Sequence, residues 1–383
     1  MNDYPLRVCY FGTYRANYSR NQIMIAGLRA NGVEVIECRV SLWHGIEDRE
    51  QVAGGGWARF SFFKRVFVAY SQLLKKYISS KPKYDVMVLG YPGQLDVFLA
   101  RLLTWWHRKP LVLDMFMSVY LVALERGLDT RSKISIYLLR KLEWIASRLP
   151  DLLICDTEAY REWYAKTYGL SPERFRLVPT GADDRTFKPI DVNKSDDGVF
   201  KVLYYGTFIP NHGVKYIIEA ANLLKDYPEI QIELVGDGPD KEEALCLAEK
   251  YNLQNVIFTD WINKDDLPQK IAEADLLLGV FGSTPQSLMT VQNKIYEGLA
   301  MGKPVVTGHA PQVESQFSHG KHIYFCEREN GASLAESIIK LSKNLQNVRQ
   351  IAFQGYKLFL EKYSIQDNGF LFKSHLLKNC CVG

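Results

Sequence analysis

No run of about eighteen uncharged apolar residues occurs anywhere in the 383-residue chain, which excludes a hydrophobic membrane-spanning helix. Met1 to Gly12 has no basic region followed by an apolar run of signal-peptide length, so the expectation is a protein that stays in the cytoplasm. Cysteine is sparse and unpaired in pattern: the seven residues at 9, 38, 155, 246, 326, 380 and 381 show no metal-ligand spacing. Several sit in strand-like runs such as Val8-Cys9-Tyr10-Phe11 and Leu153-Ile154-Cys155, where buried free thiols are expected. Repeats and low-complexity tracts are absent, which sets solenoids aside. The net charge of +4 is too small to argue for a nucleic-acid partner.

One further absence is local. Between Gln51 and Tyr84 there is no Asp or Glu, while Arg59, Lys64, Arg65, Lys75, Lys76, Lys81 and Lys83 alternate with Trp57, Phe60, Phe62, Phe63, Phe67 and Tyr70. A basic, aromatic, amphipathic stretch over 57–83 suits the anionic surface of an inner membrane leaflet, with Trp105-Trp106-His107-Arg108-Lys109 (105–109) as a second peripheral contact. The same pattern also describes a core-packing helix with a solvated basic face, and amphipathicity does not separate the two.

What is present is the composition of an ordinary globular protein, 47% hydrophobic and 23% charged, at a length that favours two domains. Leu6-Arg7-Val8-Cys9-Tyr10-Phe11-Gly12 reads as a buried strand ending in glycine, Asn21 to Asn31 as a helix, and Val33 to Cys38 as a second strand. Tyr84 to Gly90, Pro110 to Asp114, Asp151 to Asp156 and Arg174 to Pro179 continue the series with helical material between them. Strands alternating with helices predict a parallel sheet. Gly181 to Pro189 and the polar Asp191 to Gly198 read as a linker, after which the alternation resumes from Phe200 to about Gln346. The predicted fold class is α/β, with Rossmann-like doubly wound domains at 1–190 and 199–346 that bind ligands at the carboxyl ends of their strands. Residues 347–378 read as one C-terminal helix.

The most telling stretch is Asn293-Lys294-Ile295-Tyr296-Glu297-Gly298-Leu299-Ala300-Met301-Gly302-Lys303-Pro304-Val305-Val306, which reads helix, tight turn, buried strand. Lys294 and Glu297 share one helix face near its N-terminus, where free backbone N–H groups and the dipole favour phosphate. Lys294 would meet that phosphate, and Glu297 would accept hydrogen bonds from vicinal hydroxyls of a ribose. A plain surface ion pair has the same spacing.

From Lys201 to Glu314 the order of features resembles the nucleotide-sugar-binding half of the retaining glycosyltransferases of family 4, whose fold is called GT-B. The matching pieces are Val202-Leu203-Tyr204-Tyr205-Gly206, His212-Gly213 before a helical run, Ile232 to Pro239, Ala274 to Leu278, and the helix around Glu297. The resemblance implies two Rossmann-like domains facing across a cleft, a C-terminal helix returning to the first domain, and a nucleotide-sugar as substrate. In the family the loop after Gly206 carries an arginine and a lysine; here those positions hold Thr207 and His212, which leaves Lys294 as the remaining cation. The first glutamate of the family's pair falls on Met289, so sugar contacts are expected from backbone amides around Thr290 and Val291 or from the hydroxyls of Ser287 and Thr290. Gly236 and Gly238 would let the backbone approach the nucleotide, and Trp261-Ile262 lie where relatives hold the base by main-chain contacts.

On the acceptor side the resemblance points to the turn Phe11-Gly12-Thr13-Tyr14-Arg15, which touches the donor phosphate in relatives; Arg15 or Arg20 could supply the charge missing elsewhere. Asp114, at the end of an apolar strand, is the candidate to orient the acceptor hydroxyl or take its proton, with Asp156 a weaker one; a structural cap is the alternative for each. Catalysis would rest on electrostatic stabilisation of the departing diphosphate. No Asp-x-Asp pair stands beside a sugar site: Asp183-Asp184 and Asp196-Asp197 lie in linker-like loops and Asp265-Asp266 starts a helix. No metal and no other cofactor is expected. The leading expectation is a retaining, metal-independent sugar transfer to a glycan or lipid-linked acceptor in surface polysaccharide or glycolipid synthesis. A sugar-nucleotide epimerase and a non-catalytic nucleotide-sugar-binding or scaffold subunit are the competing readings.

Overall fold

The computed structural model describes residues 5–42, 60–192 and 198–380. Trp57 and Arg59 of the acid-free stretch and the pair Asp196-Asp197 lie outside them. The chain divides into two compact units, Met1–Thr180 together with Ile365–Gly383, and Gly181–Ser364.

The first unit is built on β1 (Arg7–Gly12), β2 (Glu34–Arg39), β3 (Val86–Leu89), β4 (Leu111–Asp114), β5 (Leu152–Cys155) and β6 (Phe175–Leu177), in the spatial order β2-β1-β3-β4-β5-β6. Every pairing in it is parallel, with Val8 opposite Val35 on one side and Val86 on the other. Parallel pairing needs a crossover between strands, and helices such as Ser19–Ala30, Asp96–His107 and Glu158–Tyr168 provide it. Because helices cover both faces, the strands read as continuous apolar runs: β3 and β5 are buried at every position.

The second unit repeats the scheme with β7 (Phe200–Tyr205), β8 (Ile230–Val235), β9 (Val256–Thr259), β10 (Leu276–Leu278), β11 (Val305–Gly308) and β12 (Tyr324–Cys326), ordered β12-β11-β10-β7-β8-β9 and again all parallel. Its strand order reverses between β7 and β10, as that of the first sheet does between β1 and β3. At such a switch point the loops leaving two neighbouring strands diverge and open a crevice at their carboxyl ends, which is where doubly wound sheets bind ligands.

The stretch read as one helix over 347–378 is two, Leu345–Lys362 and Ile365–Cys380, separated at Tyr363-Ser364. The first packs on the helix Asn293–Ala300 of the second unit. The second belongs to the first unit and lies along Ser19–Ala30, where Gly27 and Gly369 bring the two backbones together: a Cβ on Gly27 would stand 2.8 Å from the Gly369 Cα. The first sheet's unit therefore closes only when the C-terminal helix returns to it.

Candidate active site

The switch point of the second sheet is made of backbone packed against backbone. Gly206 follows β7 with φ of +135° and Gly236 follows β8 with φ of +143°, both in the region that only glycine enters easily. A side chain on Gly236 would collide with the Gly206 carbonyl, and one on Gly238 would stand 2.5 Å from the Phe208 oxygen. The loops after β7 and β8 are thus locked together, with Phe208 N–H donating to the Asp237 carbonyl at 2.9 Å. Gly213, in the left-handed region at the N-cap of the helix Val214–Leu223, lies against the backbone of Phe281-Gly282 and fixes the loop after β10 in the same way.

Over Gly206 three side chains converge. Lys294, in the first turn of the helix Asn293–Ala300, is 6% exposed, and its Nζ has no hydrogen-bond partner. It stands 3.9 Å from the centre of the Tyr204 ring and 5.9 Å from that of Tyr205, so aromatic faces flank the ammonium. Burial lowers its pKa from 10.5 to about 7, against the weaker opposing pull of Glu297. A Cβ on Gly206 would sit 3.2 Å from this ammonium, so the glycine also keeps space open in front of it.

His212 lies beside them with its Nδ1 2.6 Å from the Thr207 carbonyl and 2.8 Å from the Tyr204 hydroxyl. A carbonyl accepts, so Nδ1 carries the proton and Nε2 the lone pair. Desolvation, followed by the nearby Lys294 charge, holds the ring's pKa well below its ordinary value. His212 is therefore a neutral group and adds no positive charge. Thr207 spends its carbonyl on holding that imidazole.

Glu297, 8% exposed, accepts a hydrogen bond from the Tyr205 hydroxyl at 3.0 Å. Burial raises its pKa, while Tyr205, Lys264 and Lys294 act in the opposite direction. It forms no close pair with Lys294, so the i,i+3 surface ion pair allowed by the spacing is not what forms; two buried, separately supported groups stand on one helix face. The N-cap Gln292 gives that helix no side-chain cap, and its first turn holds no acid, which leaves backbone N–H groups beside Lys294.

The remaining donor-side residues fall around this core with different availability. Thr290 is buried and Val291 wholly so, the latter as part of the apolar cluster with Ile295 and Leu299. Ser287 is spent on structure: its hydroxyl donates to the carbonyls of Gly282 and Thr284 at 2.7 and 2.9 Å. Trp261 follows β9 with its side chain 64% exposed, and Ile262 is half buried against the same cluster. Sequence reasoning overlooked Tyr204 and Tyr205, which shape the surroundings of both charged groups. It also overlooked Arg328, whose guanidinium bonds the carbonyls of Gly282, Ser287 and His309 and so ties down the loop carrying those backbone donors. Two adjacent tyrosines at the end of β7 were the available signal.

In the first unit the structure changes the reading of Asp114. Its two oxygens accept from Arg20 Nε at 2.9 Å and Nη2 at 3.1 Å, and Arg20 also donates to the carbonyls of Val178 and Pro179 at 2.7 and 2.9 Å. Both side chains are at most 1% exposed. Asp114 is thus engaged on both oxygens in a bidentate buried pair that binds β4, the chain after β6 and the helix Ser19–Ala30 together. It is not free to meet an acceptor hydroxyl, and Arg20 is not free to meet a phosphate. Gly12 ends β1 with φ of +132°, and the next residue, Thr13, donates its N–H to Asp96 at 2.7 Å. The Asp96 carboxyl also accepts from the Tyr70 hydroxyl at 2.8 Å, and burial pushes its pKa up to about 6. Arg15 is half buried in the following turn. Asp156, after β5, is 3% exposed and has no side-chain partner for its carboxylate; burial raises its pKa to about 7, against the weaker pull of Arg20 and of the backbone N–H groups of Asp156 and Thr157.

Comparison with known proteins adds the family. Residues 23–186 match the model described as Glycosyltransferase Family 4, and residues 199–344 the model described as Glycosyl transferases group 1. Among curated relatives, the chain is 22% identical over 302 residues to the chitobiosyldiphosphodolichol beta-mannosyltransferase of Debaryomyces hansenii, an alignment covering 72% of this chain and 63% of that one. It is 23% identical over 204 residues to the alpha-monoglucosyldiacylglycerol synthase of Streptococcus pneumoniae, covering 49% and 45%. The chain thus spans less than two thirds of the length of these relatives. Similar solved structures include sucrose-phosphate synthase from Thermosynechococcus elongatus, with a TM-score of 0.73 at 16% identity over 98% of each chain. Another is Anabaena HepE in complex with UDP, with a TM-score of 0.68 at 16% identity over 98% of this chain and 100% of that one. The chain has the GT-B fold and carries a glycosyltransferase family 4 domain followed by a glycosyl transferases group 1 domain.

Proposed function

We propose that this protein is a retaining glycosyltransferase that moves a sugar from a nucleotide-sugar to a glycan or lipid-linked acceptor in surface polysaccharide or glycolipid synthesis. One observation carries the reading: a buried lysine without a hydrogen-bond partner, beside uncapped helix N–H groups, across an open glycine at the switch point of a doubly wound sheet. Leaving an ammonium unpaired in a desolvated place is costly unless an anion completes it. A diphosphate supplies that anion, and Glu297 stands one helical turn on to take the ribose hydroxyls. HepE, a structural neighbour, has been solved with UDP and with UDP-glucose, which supports a nucleotide-sugar at this position.

In the proposed reaction Lys294 and the helix amides stabilise charge as it develops on the departing diphosphate. Neutral His212 offers its Nε2 lone pair, which suits accepting a hydroxyl hydrogen bond more than gripping phosphate. We propose that the transfer needs no metal ion and no other cofactor. Activity lost in EDTA and regained with manganese would overturn that part. Retention is likewise part of the proposal: the names of relatives include both a beta-mannosyl and an alpha-glucosyl transfer. The anomeric configuration of the first-formed product, read by NMR, decides it.

No helix among the described residues is long and apolar enough to cross a membrane. We propose a cytoplasmic enzyme in peripheral contact with the inner membrane face through 60–83 and 105–109. The helix Phe60–Ser80 supports this, since it exposes Phe60, Phe63 and Phe67 instead of packing them.

A thermal-shift screen of the full chain against UDP-, GDP-, ADP- and CMP-sugars tests the donor reading, since a bound donor raises apparent stability by mass action. A shift for one nucleotide class and labelled product from it are the expected result. Binding without turnover across acceptors would favour the scaffold reading instead.

A further inference from the structure

The amino edge of the first sheet, at the other end of its strands from Gly12 and Asp114, holds a pocket of about 630 Å³. Arg7 at the start of β1, Tyr77 and Lys81 at the end of the helix Phe60–Ser80, Lys83 before β3, and His107 and Lys109 before β4 line it. Asp85 neutralises Arg7 through a pair at 3.0 Å. The side chains of Lys81, Lys83 and Lys109 have no ion pair or hydrogen bond among the described residues. Asp85 stands beside Arg7 and also feels the charge of Lys109, but no carboxylate is among the described lining residues, and ammonium groups gathered around a concave space are the chemistry of a phosphate receptor.

What surrounds the pocket narrows the ligand. Each helix that leads into β3, β4 or β5 must end at this edge of the sheet, and each ends in exposed apolar residues. Ile78 closes the first, Trp105 and Trp106 the second, at 61% and 84% exposed, and Trp144 and Ile145 the third, Lys133–Ala146. Arg148 lies 3.8 Å over the Trp144 ring and Arg101 5.3 Å over that of Trp105. A receptor for a free phosphate compound has no use for bare tryptophans along the same edge of the sheet. Tryptophan beside arginine and lysine is the composition of the headgroup layer of a bilayer.

We propose that this pocket receives the phosphate of an anionic phospholipid headgroup while Ile78, Trp105 and Trp106 enter the adjoining interfacial layer. The inference deepens the peripheral-membrane reading above and rests on it, but it is independent of sugar transfer.

The test is co-sedimentation of the full chain with vesicles of phosphatidylcholine alone and of phosphatidylcholine mixed with phosphatidylglycerol. Binding only to the mixed vesicles is expected, with Lys81→Gln and Lys83→Gln each weakening it about five-fold. Lys340→Gln and Lys343→Gln, each an equal charge change in the second unit, are expected to leave it unaltered. Undiminished binding by the pocket variants to the mixed vesicles would overturn the headgroup site and spare the membrane reading, whereas failure of the native chain to bind either vesicle would overturn both. Release from the mixed vesicles by inorganic phosphate at matched ionic strength would assign the pocket to free phosphate and overturn the lipid inference.

Discussion

The two sheets end in buried charge at their carboxyl edges, and they treat it in opposite ways. In the first unit Arg20 and Asp114 satisfy one another, with backbone carbonyls taking the remaining guanidinium protons. In the second, Lys294 is buried too, yet its ammonium has no hydrogen-bond partner and lies over aromatic rings beside an open glycine. The difference separates structural from functional charge: an ion pair closed on itself holds the fold, and an unpaired ion is a place kept for a ligand. Asp156 refines the comparison, because an unpaired carboxyl can relieve its burial by keeping a proton near neutrality, whereas relief for Lys294 means losing the charge an anion needs.

Breaking the closed pair should have the largest effect. Asp114→Asn leaves Arg20 charged, buried and without its bidentate partner, a change expected to cost about 3–5 kcal/mol and to lower the melting temperature by several degrees. A catalytic Asp114 would instead lose turnover with its melting temperature intact. Differential scanning calorimetry alongside a product assay separates the two.

Lys294→Met should act in the reverse sense on the empty protein. Because burial depresses the lysine's pKa, its charged form is disfavoured in the fold relative to the unfolded chain, and this penalty is present in full below pH 7 and fades as pH rises from about 7 towards 10.5. The variant is therefore expected to melt higher than the native chain at pH 6, with the gap closing at high pH, while donor affinity falls about 30- to 150-fold through loss of a charge-assisted contact. Loss of stability together with affinity would mean that Lys294 is a structural group. Glu297→Gln keeps the shape and a partner for Tyr205 but loses the charge, and about a ten-fold weaker donor response in the thermal-shift assay is expected. An unchanged response would remove Glu297 from the ribose.

Much of this architecture was legible in the chain. Apolar runs alternating with helical periodicity fixed both parallel sheets, and glycines 12, 206 and 236 marked the strand ends where side chains cannot fit. Lys294 and Glu297 were found by spacing on one helix face. Partners across sequence were not legible: nothing near Asp114 announces Arg20, ninety-four positions away, and a lone aspartate at a strand end reads the same whether it awaits substrate or is already taken. The fate of Ser287 was hidden for a similar reason, since its hydroxyl is used by loop carbonyls whose direction only the fold decides. The break at Tyr363-Ser364 was missed because both flanking segments are amphipathic at the same period, while the glycine at 369 that packs on Gly27 looks like any other helical glycine.

The smallest expected effect gives the sharpest view of the open charge. If the donor diphosphate binds the protonated lysine, each binding event above pH 7 takes up a proton, because the free protein's lysine is increasingly neutral there and the bound anion restores its charge. Donor affinity should then fall about two-fold between pH 7 and 7.5, steepening towards ten-fold per unit at higher pH until the pKa of the bound form is reached. Below pH 6.5 it should level off, since the lysine is already charged; His212, neutral throughout this range, contributes no slope. Titration calorimetry in buffers of different ionisation enthalpy reads the proton uptake directly. A flat profile at pH 7–9 in the native chain, or the same slope in Lys294→Met, would show that the anion is held by some other charge.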